Sequence, residues 1–387
     1  MDYVFVAEQE ALRSTLRALL TQHADEAAVR ATMESESGYD ETLWHRLANE
    51  VGLHGLAIPT EYGGAGGSFV DLAVALEEFG RTLYCGPFFA SVVLAAHALK
   101  YSGDEGASLK YLPSIASGEV IATVAATELL TMENREERPR ADSSGAGTWI
   151  TGAAGYVMDG HLADIFIVAA DDEAGGSLYL VEKGANGTTA HQLPTMDRTR
   201  RFASVTFDNT PAIRLGAGGN VQTVLDRVRD LAIVALAVEQ VGGAQMMLDT
   251  AVDYAKIRSQ FGRAIGSFQA IKHRCADMSV ELEGARSAAY NAVWIVYAEG
   301  RREHEGLAAS IAHSYCSEAF MRATASNIQI HGGIGFTWEH RAHLYYKRAK
   351  SSEMLFGSPA VHRRRLARLL SLAPFSAVMT SSSGTRQ

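Results

Sequence analysis

The sequence predicts an α+β chain of several domains, and three observations carry that prediction. Apolar residues recur at helical steps through the first hundred residues, short β-branched runs follow between about 120 and 209, and helical spacing then returns. The predicted order is a helical domain over 1–118, a middle β domain over 119–215, a four-helix bundle over 216–373 and a flexible tail over 374–387. With 387 residues, 47% of them hydrophobic, the chain can bury more than one core.

Leu12, Leu16 and Leu19 lie on one helix face, as do Leu43, Leu47 and Val51. The turn Tyr62-Gly63-Gly64-Ala65-Gly66-Gly67 breaks this pattern, because its glycines favour loop conformations, and a new helix begins near Phe69. Trp149-Ile150-Thr151, Ile165-Phe166-Ile167-Val168, Leu178-Tyr179-Leu180-Val181 and Val205-Thr206-Phe207 read as strands of a compact β domain. Its charged insert, 133–140, reads as a solvated loop. After Gly216-Ala217-Gly218-Gly219, helices are predicted over 221–254, 268–297 and 308–328, with another before Leu370. The tail has too little apolar content to fix it.

A formal charge of −9 argues against broad attraction to nucleic acid or an anionic membrane. The basic run His362-Arg363-Arg364-Arg365 reads as a solvated helix face. Cys85, Cys275 and Cys316 are too few and too scattered for a disulfide framework or a thiolate metal cage, which suits a reducing cytoplasm. No paired cysteines or helical His-Glu-x-x-His suggest a metal. The first ten residues carry acids where an export signal needs a basic start. The apolar stretch 231–238 falls short of the roughly 20 residues that span a bilayer, so it reads as buried helix and no integral membrane segment is expected.

Two motifs stand out. One is Arg258-Ser259-Gln260-Phe261-Gly262-Arg263, followed by Ile265-Gly266-Ser267-Phe268-Gln269-Ala270; the other is Gln329-Ile330-His331-Gly332-Gly333-Ile334-Gly335-Phe336. Together with the glycine turn and the domain order, they resemble the acyl-CoA dehydrogenase family over nearly the whole chain. The phrase Gly335-Phe336-Thr337-Trp338-Glu339-His340 is compatible with the bacterial branch that forms heteromeric steroid or fatty acyl-CoA dehydrogenases. The resemblance implies an FAD site shared between protomers of a homo- or hetero-oligomer, such as a tetramer with a related subunit. Arg258 suits a pyrophosphate, Phe261 suits apolar packing against a ring, and Gln269 and Gln329 offer amide hydrogen bonds. Gly332 and Gly333 let a backbone approach the ligand. Ala126-Thr127-Glu128 resembles the opening of the family's flavin loop, which leaves Thr127 as either a further FAD contact or an ordinary turn hydroxyl. The purely structural readings are an ion pair for Arg258, core for Phe261, and solvated or helix-end positions for Gln269 and Gln329. His273 and His331 read as structural.

The chemistry implied is α,β-dehydrogenation of an acyl-CoA thioester, in which a carboxylate removes the α proton while hydride passes from the β carbon to flavin N5. Many relatives place the glutamate immediately before the glycine of a C-terminal turn, where this chain has Phe356 before Gly357. Others place it on the first helix of the last domain, and counting back without gaps from Arg258 reaches Ala232. Neither side chain accepts a proton. Asp230 lies about 200° around the helix from Ala232 and Glu239 about 10 Å along it, so both are poor substitutes whose ordinary roles are solvated or subunit-contact positions. Glu353 has an ordinary role as an ion pair with Lys350. The catalytic residue is therefore left unassigned. The flavin loop also departs, running Leu129-Leu130-Thr131-Met132-Glu133, and Tyr156-Val157-Met158-Asp159 stands where relatives have Trp-Ile-Thr. Three readings stay open: a dehydrogenase subunit whose partner supplies the base, a homomeric enzyme with a displaced base, and an inactive CoA-ligand-binding homologue.

Overall fold

Residues 5–132, 138–145, 147–298 and 302–371 are described in this computed structural model. The predicted tail and positions 133–137 of the charged insert lie outside the described residues. The first region contains α1 (Ala7–His23), α2 (Glu26–Glu34), α3 (Glu41–Asn49), α4 (Phe69–Thr82), α5 (Ala96–Ser102) and α6 (Glu105–Ala116). Side-chain oxygens begin most of them: Asp25, Asp40 and Asp104 accept from the backbone N–H three residues on, and Ser68 and Asp71 cap each other's backbone. Between α4 and α5, Phe89–Ala95 winds as a π-helix. Such a wide turn releases carbonyls from the regular ladder, and His97 Nδ1 donates to two of them, Val92 and Val93, at 3.1 and 3.0 Å. Burial pushes His97 down to about 4, which keeps it a neutral donor.

The middle region runs through β1 (Ala122–Ala125), α7 (Thr127–Leu130), β2 (Arg140–Ser144), β3 (Gly147–Met158), β4 (Ile165–Ala170), β5 (Ser177–Glu182), β6 (Thr188–Gln192) and β7 (Phe202–Leu215). All four runs read as strands fall within β3, β4, β5 and β7. The sheet order is β1-β4-β5-β7-β3-β2, with β6 on β7. The 14-residue β7 pairs with β5 through its last turnward residues and with β3 and β6 earlier, so it bends the sheet around a small core that includes Ile150, Phe166, Tyr179 and Phe207.

The last region comprises α8 (Val221–Ile257), a two-stranded ribbon of β8 (Ser259–Gln260) and β9 (Arg263–Ala264), α9 (Gln269–Tyr297), α10 (Arg302–His331), α11 (Ala342–Met354) and α12 (Pro359–Leu369). Helix α8 is longer than its apolar stretch suggested. By length and composition it matches a membrane span, but 83% of its most apolar window is buried inside the protein. Its residues from Ala232 to Val238 have no exposed surface, as expected of a helix apolar on every side and surrounded by α4, α9 and α10. The chain therefore has helical N- and C-terminal domains flanking a β domain.

Two glycines set how closely α4 meets α8. A Cβ on Gly80 would lie 1.9 Å from Glu239 O, and one on Gly242 would lie 1.9 Å from Glu77 O. The helices thus cross backbone against backbone. Beside this crossing the buried Glu77 accepts from Arg13 Nη1 at 2.9 Å and also from Arg286 and Tyr290, tying α1 and α9 to α4. Burial opposes the Glu77 charge, but Arg286 and Arg13 outweigh it and hold the carboxyl below its ordinary value. Gly242→Ala should lower stability by at least about 1–3 kcal/mol, read as a drop in melting temperature, because neither backbone can yield without separating the helices.

Candidate functional site

The C-terminal turn is built by the end of α11 and the start of α12. Phe356 adopts φ 58° and Gly357 φ 98°, which reverses the chain before Ser358 and Pro359 open α12. Phe356 N donates to Leu130 O at 2.8 Å, and His362 Nε2 donates to Phe356 O at 3.0 Å. The Phe356 ring has no exposed surface and stacks on Phe89, with centroids 6.1 Å apart. Leu129 and Leu130 of α7 are buried, and Met132 Sδ would lie 3.0 Å from a Cβ on Gly357. Leu130, Met132 and Phe356 thus come together in one apolar patch at the turn. Ala232 is also fully buried.

His362 corrects the reading of its basic run as a solvated face. It has no exposed surface and its ring lies tilted against that of His313, with centroids 4.5 Å apart, and burial pushes His362 and His313 down to about 3 and about 4. Arg363 and Arg365 of the same run do reach partners, Glu318 and Asp230.

Each displaced carboxylate has a strong partner. Asp230 receives two guanidinium bonds from Arg365, at 2.5 and 2.9 Å, and Glu353 receives Lys350 Nζ at 2.5 Å. Glu239 overturns the expectation of a solvated or subunit-contact role, because it is 6% exposed inside the chain. Arg200 Nη2 donates to both its oxygens, at 2.8 and 2.7 Å, and Arg348 Nη1 donates at 2.6 Å. Burial opposes the Glu239 charge, yet the two arginines keep it ionised. Arg348 also donates to Thr199 and to the Tyr84 carbonyl. These contacts join all three domains. Sequence reading missed Arg200, Arg348 and Phe89, since no local pattern links them.

Beside this junction Asp159 is 5% exposed at φ 52°. Burial pushes its carboxyl up to about 7, against the pull of Arg200, Arg348 and Arg201. The cavity it faces has a volume of about 20 Å³. Ordinary ligand pockets occupy roughly 300–1,000 Å³.

The motif residues lie elsewhere. Arg258 ends α8 and is exposed, Phe261 is 92% exposed at φ 52°, and Gln269 is exposed at the start of α9. Phe261 meets Phe268 edge-on at 6.1 Å, and Arg263 lies over Phe268 at 4.3 Å. Gln329 is exposed near the end of α10, followed by exposed Gly332 and Gly333. A Cβ on Gly262, Gly332 or Gly333 would meet nothing within 4 Å, so the backbone is open there to a ligand. A cation, an aromatic ring, two amides and accessible backbone fit the pyrophosphate and rings of FAD. Ala232 and Arg258 are 26 residues apart on α8, about 39 Å along its axis, so the Arg258 side chain does not reach Ala232. Phe261 is not core. Thr127 is 5% exposed, and its hydroxyl both donates to Gly155 O and accepts from Gly155 N at 2.9 Å, which ties it to β3. His331 is buried, donates through Nδ1 to Asn327 O, and stacks on Tyr254 at 4.3 Å.

Helical domains flanking a β domain, with this exposed arginine–aromatic–amide surface, define a flavoprotein dehydrogenase architecture. Residues 6–119 match the acyl-CoA dehydrogenase N-terminal domain and 221–371 the acyl-CoA dehydrogenase C-terminal domain. The chain belongs to the acyl-CoA dehydrogenase family. It is 38% identical over 359 residues to acyl-CoA dehydrogenase IpdE2 of Mycolicibacterium smegmatis, covering 93% of this chain and 97% of that protein. It is 33% identical to acyl-CoA dehydrogenase FadE34 of Mycobacterium tuberculosis, covering 94% of this chain and 48% of the longer relative. Among solved structures it resembles a variant of the steroid ACAD Tcur3481-Tcur3483, with TM-score 0.84, 31% identity and coverage of 94% and 98%. It also resembles the ChsE4-ChsE5 complex from Mycobacterium tuberculosis, with TM-score 0.86, 28% identity and coverage of 97% and 100%.

Two outcomes follow from the buried groups. Native Asp159 keeps a proton that the unfolded chain, with an ordinary carboxyl near 3.8, releases earlier, so its contribution to stability falls as pH rises from about 4 to about 7. Asp159→Asn should therefore be more stable than wild type at pH 8 by at most about 4 kcal/mol, read as a higher melting temperature, with the gain shrinking toward pH 4. Phe356→Glu places a carboxylate against Phe89 and Leu130, and should destabilise by several kcal/mol in thermal melts at pH 8 instead of restoring a working base.

Proposed function

We propose that this chain is one subunit of an FAD-dependent acyl-CoA dehydrogenase that performs α,β-dehydrogenation of an acyl-CoA thioester, with the catalytic carboxylate supplied by a related partner chain. The observation that carries this reading is a contrast within the C-terminal domain. Phe356 and Ala232, at the two family positions for the base, are apolar and fully buried, while Arg258 and Phe261 face outward. A chain that had shed the whole function has no chemical need for that outward surface.

FAD, when bound, supplies the hydride acceptor. Arg258 would balance its pyrophosphate, Phe261 would pack against an apolar part, and Gln269 and Gln329 would donate amide hydrogen bonds, with Gly332 and Gly333 giving close backbone approach. A Thr127 contact would require its hydroxyl to release Gly155. The acyl group then lies against the partner's base, and the present chain helps to hold the cofactor and exclude water. Support for an unlike partner comes from ChsE4-ChsE5 and Tcur3481-Tcur3483, each of which joins two chains. The word steroid in the second name makes a steroid CoA ester the first substrate to try. The paired states of Asp230, Glu239 and Glu353 weigh against a displaced base within this chain.

Co-expression with candidate companion chains tests this. Acyl-CoA should bleach the flavin only in the mixed complex, and Arg258→Gln should lower bound flavin there by about tenfold or more without lowering the melting temperature of the isolated chain. Bleaching by the isolated wild-type chain would overturn the partner-supplied base, and full flavin retention by Arg258→Gln would overturn the assigned surface.

A further inference from the structure

We propose that the cavity where the three domains meet is a built site for one ordered water molecule, held by Tyr84, Asp159 and Arg200. Leu76, Phe79, Phe88 and Phe89 wall the cavity on its apolar side, while Tyr84, Asp159, Arg200, Glu239 and Arg348 reach it from the polar side. Glu239 is satisfied by the two arginines. Tyr84 Oη and Arg200 Nη1, however, are buried without a hydrogen-bond partner among the described residues. Both belong to side chains more than nine-tenths buried, at 7% exposure each. A buried phenol and a buried guanidinium N–H each lose a hydrogen bond to solvent on folding, which is costly unless something replaces it.

The volume of about 20 Å³ selects the replacement. One water needs about 10–15 Å³ of such space and two to four polar partners. An acyl chain or inorganic phosphate does not fit. The hydrogen-bond complement of water does: its two lone pairs accept from Tyr84 Oη–H and Arg200 Nη1–H, and one of its protons goes to the Asp159 carboxyl. The water connects the segment ahead of the π-helix to the middle domain, and through Arg200 to Glu239 on α8. It also lies behind Phe89, whose ring has Arg200 5.1 Å from its centroid on the way to Phe356. The ring stack is therefore backed by a hydrated polar contact.

A crystal structure of the full chain, at a resolution that shows single waters, tests the site. The expected result is one isolated density peak within hydrogen-bond distance of Tyr84 Oη, Arg200 Nη1 and Asp159. A dry cavity, or a direct bond from Tyr84 Oη to Asp159, would overturn the proposal. Magnetic relaxation dispersion of water oxygen supplies a second reading, in which Tyr84→Phe should show one fewer long-lived water than wild type, and equal numbers would count against it. If Tyr84→Phe does not fold, the wild-type density alone decides.

Discussion

The bond network of Glu239 with Arg200 and Arg348 is the constraint on which the arrangement of domains depends. Its members come from the loop before β7, from α8 and from α11, and Arg348 extends it to the Tyr84 carbonyl. Buried ion pairs gain little over a well-packed apolar replacement, but removing one partner strands a charge and costs roughly 3–5 kcal/mol. The value of this network lies in geometry. Three guanidinium and carboxylate planes fix three domains at one point, a few ångströms behind the ring stack of Phe89 and Phe356. The π-helical turn is part of the same device, because it delivers Phe89 to that stack while His97 satisfies the carbonyls the wide turn frees.

Around the C-terminal turn, the substitutions form a consistent set. Phe356, Leu129, Leu130 and Met132 are mutually compatible as packing, whereas a single missing glutamate in an otherwise polar pocket would leave unsatisfied partners. The family fold is kept, and the turn at Phe356 is part of its apolar core. The motif residues Arg258, Phe261, Gln269 and Gln329 face outward instead. Phe261 is 92% exposed, beside a Gly262 that leaves the backbone open.

Much of this was legible in the sequence where the signal is local. The strand runs at 149–151, 165–168, 178–181 and 205–207, the helix start near Phe69 and the long helices after 220 follow from periodicity and capping. The apolar residues at 232 and 356 were also visible, and so was the Glu353–Lys350 pair. What escaped is nonlocal. Glu239 looked like a solvated carboxylate because its partners stand 39 residues before it and 109 after it. His362 sits within a basic run yet turns inward, since α12 presents its first turn to the core while the arginines beside it point out. Helix α8 was legible from Val221 almost to its end, and it continues to Ile257 where the apolar spacing suggested a stop at Tyr254.

That length has an evolutionary consequence. A rod of 37 residues holds the buried Ala232 within its first half and the exposed Arg258 just past its last turn, and no side chain spans both. If the two ends answer to different protein chains, mutations accumulate at one without penalty at the other. Gene duplication can then divide a symmetric ancestor into two specialised copies, each free to lose what its companion retains.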